Sequence, residues 1–143
     1  MSMRVYGLWN ATLLVAVGGC IAILVIDTGG SLVSRSTGMN YGYFAILSFA
    51  IYAGVGILAA HLHSSAAAAV AGFLVSALDA TVGWWISWQI GPGRVNVVDK
   101  HLAIVLATTG IFVVSLDTAI ATAAGAIWRK RLSARNASRS AAP

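Results

Sequence analysis

The sequence predicts an all-α membrane protein, a four-helix transmembrane bundle with its N- and C-termini cytoplasmic. Three observations carry this reading. Apolar residues make up 59% of the chain and charged residues 9%, against about 45–50% and ~25% in soluble domains. The apolar residues gather into four runs, each near the ~18 or more that a helix needs to cross hydrocarbon. Five of the nine basic residues (Arg129, Lys130, Arg131, Arg135 and Arg139) follow the last run, as a cytoplasmic flank should. A water-soluble fold would need four helices apolar all round, with almost no polar face to cover them. At 143 residues, the chain reads as one domain.

The first span is expected at 9–33, with Tyr6 and Trp9 anchoring its start at the interface. Thr28-Gly29-Gly30 near its end, and the stretch from Ser34 to Asn40, read as polar, Gly-containing loop. The second span is expected at 43–62. Only His63-Ser64-Ser65 separates it from an alanine run, so the second and third spans should form a tight helical hairpin. The third span is expected at 67–90, stopped by Gly91-Pro92-Gly93. A short loop carrying Arg94, Asp99 and Lys100 leads to the fourth span at 102–128. Residues 129–143 then read as a basic, disordered cytoplasmic tail, for which attraction to anionic lipid is a sufficient role.

Four spans return the chain to the side on which it started. Arg4 and the five tail cations fall on that side, against Arg35, Arg94 and Lys100 on the other, so both termini are expected inside. Trp84, Trp85 and Trp88 mark the outer end of the third span, and Trp128 the inner end of the fourth. The composition is rich in Ala, Gly and Arg and poor in Lys. That suits a GC-rich bacterial genome, and hence the bacterial cytoplasmic (inner) membrane. Cys20 stands alone and cannot form an internal disulfide. Its context, Val17-Gly18-Gly19-Cys20, loosely resembles a lipoprotein processing site, but apolar chain follows directly, so a retained span is the better reading.

The residues that could carry chemistry are intramembrane acids. Val75-Ser76-Ala77-Leu78-Asp79 lies inside the third span and Val114-Ser115-Leu116-Asp117 inside the fourth. A carboxylate near the middle of a span costs at least ~2.5 kcal/mol, so its presence marks a functional-site hypothesis. On a 3.6-residue period Asp79 shares a face with Gly72, Ser76, Gly83 and Ser87, a small and polar stripe that favours close helix approach. Asp117 shares its face with Gly110, Val114, Ala121 and Ala124. If the last two spans pack antiparallel, the two acids can face each other and share a proton or a cation. The bland reading gives each Asp a hydrogen-bond partner in Ser76, Thr81 or Thr118, as an interhelical contact. Asp27 lies toward the outer end of the first span, where capping or an ion pair with Arg35 or Arg94 is the simpler reading. The sharper one makes it the mouth of a cation path.

A faint repeat relates Val17-Gly18-Gly19 through Asp27-Thr28-Gly29 to Val70-Ala71-Gly72 through Asp79 to Gly83, the weak kind of similarity that transporter repeats leave. Gly56 and Ala60 form a small-x-x-x-small packing face, and Tyr52, in mid-span, needs a partner for its hydroxyl. His61 and His63 would diverge on a helix and His101 lies at the far end, so no metal site and no two-His haem is read. The Gly-x-Gly-Asp phrase of intramembrane aspartyl proteases, which the acid pair otherwise brings to mind, is missing at both acids. No phosphate-binding loop or nucleophile elbow occurs. The residues lean away from an enzyme, call for no cofactor and offer no platform for nucleic acid.

Two function classes remain. One is a small proton- or cation-coupled transport or channel-type protein using Asp79 and Asp117, with Ser76 and Asp27 in reach. The other is a non-catalytic accessory or assembly subunit of a larger membrane complex, its polar residues serving helix packing. In either case the lipid bilayer is the first partner. At this size a homo-oligomer or a larger complex is expected to complete a pathway.

Overall fold

The computed structural model describes residues 2–91 and 100–140, and the chain there is almost wholly helical. Helix α1 spans Ser2–Thr37, α2 Ala45–Leu62, α3 Ser65–Leu78, α4 Trp84–Ile90 and α5 Lys100–Ser140. A 3-10 turn, Tyr41–Phe44, leads into α2, and a π-helical turn, Asp79–Gly83, joins α3 to α4 as one rod. Pro92, Arg94, Asp99 and the last three residues lie outside the described residues. So do the side chains of Arg4, Tyr6, Lys100, His101 and Arg139.

Four stretches are long and apolar enough to cross a membrane: Trp9–Thr37, Tyr41–Leu62, Ser65–Ile90 and Ile104–Ser138. Each overlaps one expected span, with the boundaries moved, most of all at the end of the fourth. A second difference is in α1. It runs straight through Thr28-Gly29-Gly30, where a loop is expected, and ends four residues beyond Val33. The glycines do not break it because apolar turns flank them, and because Gly30 presses against the Phe44 ring. A Cβ at Gly30 would stand 2.8 Å from a ring carbon. The stop comes at Gly38, whose φ of +74° is the left-handed conformation of a helix end. Its N–H bonds to the Ser34 carbonyl at 2.9 Å.

The Asn40 side chain accepts the Gly42 N–H at 2.8 Å and turns the chain into α2. At the other end of α2, the Ser64 hydroxyl accepts the Ala67 N–H at 3.1 Å and starts α3, giving the tight hairpin that the sequence predicts. Nor does the fourth span give way to a disordered tail at Trp128. Helix α5 continues to Ser140, and Arg129 donates to the carbonyls of Ala60 at 3.2 Å and His63 at 2.9 Å. The same end holds the Trp9 and His63 rings, 5.2 Å apart, and Trp128 donating to His61 at 3.4 Å. Both histidines therefore pack with aromatic partners.

Helix α5 packs on α2 and α3, whereas α1 packs on α2, α3 and α4. Among the described residues α1 and α5 do not touch, so the α2–α3 hairpin separates them. The packing rests on small residues. Gly56 lies against the backbone of Ala121, and a Cβ at Gly72 would meet the Ala121 methyl at 2.5 Å. At Gly125 a Cβ would stand 2.7 Å from the Gly56 carbonyl oxygen, 2.8 Å from the Ala68 methyl and 2.9 Å from the Ala60 methyl. The large apolar side chains turn outward: Leu14 is 72% exposed, Ile46 70% and Ile111 70%. In water such a coat would be a liability; against hydrocarbon it is the favoured surface.

Candidate functional site: a buried carboxyl cluster

Asp79 begins the π-helical turn, in which the Trp84 N–H reaches back to the Asp79 carbonyl. Such turns widen a helix locally and recur at functional sites. Gly72, Ser76, Asp79, Gly83 and Ser87 are all buried. Four turns of regular α-helix take about 14.4 residues, slightly less than the distance from Gly72 to Ser87. The wide turn takes up the excess and keeps the polar stripe on one face.

Two further acids arrive from either side. Asp27 comes from α1 and Asp117 from α5; they are 4% and 2% exposed, and Asp79 is 8% exposed. Asp27 meets Asp79 beside Gly83, and Asp117 lines one cavity with both. The approach of Asp27 depends on Gly83. A Cβ there would strike Asp27 Oδ2, and it would stand 2.6 Å from Asp79 Oδ1. Only glycine leaves room for the two carboxyl groups to meet. Asp27 and Asp79, the acids matched in the faint repeat, are thus brought together in space, and Asp79 and Asp117 line one cavity.

Two tyrosines complete the cluster. The Tyr52 hydroxyl donates to Asp79 Oδ2 from α2. The Tyr41 hydroxyl, from the 3-10 turn, donates to Asp27 Oδ1 at 2.8 Å. Tyr52 and all three acids line the same cavity. Two carboxyl oxygens have no hydrogen-bond partner among the described residues: Asp27 Oδ2 and Asp117 Oδ1. Leaving a buried acceptor unsatisfied costs about 1–3 kcal/mol, and more when it is charged.

The cavity beside these groups is about 200 Å³ and is lined by Asp27, Asp79, Asp117, Tyr41, Tyr52 and Ser48, with aromatic and aliphatic side chains between them. No Lys, Arg or His lines it among the described residues. At roughly 30 Å³ per water molecule, that volume accepts several waters or one small solute. It reaches from Gly42, exposed at one end of the bundle, inward to Tyr52. Beyond Tyr52 the Gly56, Ala60, Ala68, Ala121 and Gly125 contacts close the interior.

The expected partners of the acids take other roles. Ser76 donates to the Gly72 carbonyl at 2.9 Å and lies 3.3 Å from the Thr118 hydroxyl, a turn away from the cavity. Thr81 donates to Ala77 and Thr118 to Val114, each at 2.7 Å and each within its own helix. Two of the simpler readings of Asp27 are corrected: it is not a cap, being inside α1, and it is not paired with Arg35, whose guanidinium donates to the Ile90 carbonyl at 3.0 Å; Arg94, the other expected partner, lies outside the described residues. Of the packing residues, Gly56, Gly72 and Ala60 sit at helix contacts, and Gly83 sits at the carboxyl pair. Sequence reasoning missed Tyr41, which falls between the expected loop and the second span, and left Tyr52 without its partner. The signal for Tyr52 was a phenol in mid-span; Tyr41 gave none. No family model, curated protein or solved structure matches the chain.

Proposed function

We propose that this chain is a small multi-pass protein of the bacterial cytoplasmic membrane that moves a proton or a monovalent cation through the Asp27–Asp79–Asp117 cluster. One observation carries the reading. Among the described residues, three buried acids share a cavity that no basic side chain lines, and two of their oxygens lack a donor. Three negative charges cannot be held together in a low-dielectric site without protons or cations to balance them. The cluster is therefore a place where positive charge binds, and the phenols of Tyr41 and Tyr52 provide a hydrogen-bonded route along which protons redistribute. The closed packing beyond Tyr52 favours a carrier that opens alternately over a continuously open pore. The excess of cations flanking both termini supports a cytoplasmic location for them.

The test is flux in liposomes reconstituted with purified protein, wild type beside the Asp79→Asn/Asp117→Asn double variant. Wild type should carry protons or a monovalent cation, and the variant, folded, should fall to the level of empty liposomes. Equal flux from both, or none from folded wild type, contradicts the proposal.

A second reading has its own observation. The apolar window of Ile104–Ser138 is only 11% buried, the least of the four spans. A helix so little covered fits a subunit that docks on a second copy or on a larger membrane complex. Co-purification of a stoichiometric partner, together with full tolerance of Asp→Asn changes, would favour that reading over transport.

A further inference from the structure

The cavity wall bears on which cation the site takes. Phe44, Phe49 and Trp84 line the cavity along with the acids, and Tyr41 and Tyr52 add two more rings. Among the described residues no three acidic, histidine or cysteine side chains converge closely enough to hold one metal ion. The three carboxyl groups thus do not converge on one point: Asp27 and Asp79 meet beside Gly83, and Asp117 reaches the cavity from α5. Inorganic cations such as Ca²⁺ or Mg²⁺ demand a tight shell of six or more oxygens. An alkylammonium ion demands the opposite: a spread of negative charge and apolar or aromatic surface for its methyl or methylene groups. Size agrees as well, since an engineered cavity of about 150 Å³ accepts benzene, and this one is about 200 Å³.

From the combination of carboxylates that do not converge on one point, aromatic walls, volume and the unpartnered Asp117 Oδ1, we infer that the site's ligand is a small monovalent organic cation of the alkylammonium class. Asp79 and Asp117 supply the charge, and Phe49 and Trp84 supply apolar contact. The inference rests on the transport reading above and names the substrate class of the same cluster. Phe49 is informative because it is 41% exposed and so contributes little to the core.

Isothermal titration of the full chain in detergent, with tetramethylammonium as the probe and neutral tert-butanol as the uncharged control, tests it. Tetramethylammonium should bind saturably, one per chain, and tert-butanol should not. Asp79→Asn/Asp117→Asn should abolish binding. Phe49→Leu, which keeps apolar bulk and removes the ring, should weaken it about fivefold, whereas Phe49→Tyr should retain it. Absence of saturable binding by folded wild type overturns the inference, as does binding that is indifferent to both the acids and the ring. If wild type nevertheless shows acid-dependent proton or sodium flux, only the organic class fails. If that flux is missing too, the transport reading fails with it.

Discussion

Tyr52 determines how Asp79 can be buried at all. A carboxyl group in an apolar bundle needs a donor, and the Tyr52 hydroxyl supplies one from the facing helix. Tyr52→Phe should lower stability by about 1–3 kcal/mol, the cost of leaving a buried acceptor unpaired. Thermal unfolding in detergent measures it. In an Asp79→Ala background the same substitution should cost far less, giving a coupling of at least ~1 kcal/mol in the double-mutant cycle. Additive effects would contradict the pairing. The acids themselves are easy to read from sequence, because a lone Asp in an apolar run stands out against its cost. Their partners are not. Ser76, Thr81 and Thr118 looked suitable, but a short hydroxyl side chain on a helix reaches the carbonyl three or four residues back before it reaches a neighbour. The longer phenols of Tyr41 and Tyr52 span the gap between helices.

Helix contacts in this bundle are made by absence of side chain. Gly56 lies against the Ala121 backbone, whereas Gly54, two residues away, has nothing within 4 Å of a would-be Cβ. Gly56→Ala should therefore lower the melting temperature and broaden the size-exclusion profile, with a cost of about 1–3 kcal/mol for forced overpacking. Gly54→Ala should leave both unchanged. A neutral Gly56→Ala would place α2 and α5 further apart than described. The spans were readable from hydropathy alone, and the small-x-x-x-small face of Gly56 and Ala60 was readable as a packing surface. The π-helical turn at Asp79–Gly83 was not, since a 3.6-residue period carries no mark of one widened turn. The continuation of α1 through Gly29 and Gly30 was hidden for a related reason. Local preference breaks a helix at such a pair, and only the Phe44 ring packed on Gly30 shows why it holds.

The molecule divides along its length into a half that holds a polar cavity and a half that is closed by alanine and glycine. Among the described residues the cavity extends to Gly42 in the Tyr41–Phe44 turn, while small-residue contacts close the bundle beyond Tyr52. If that end faces outward, a cysteine at Met39 in a Cys20→Ser background should react with an impermeant thiol reagent added to intact cells. A cysteine at Ser138 should react only after permeabilisation. The reverse pattern would invert the topology without altering the site. If the carboxyl cluster binds positive charge, the melting temperature should follow the ion that occupies it. A ligand bound only by the folded state stabilises it by about 2.7 kcal/mol at a hundred times its Kd. Purified protein is melted across a series of pH values and of sodium, potassium and tetramethylammonium concentrations, beside the Asp79→Asn/Asp117→Asn variant. The predicted result is a wild-type melting temperature that moves with pH or with at least one cation, and a variant that does not follow it. A wild type indifferent to all of them, or a variant that moves equally, would contradict the account.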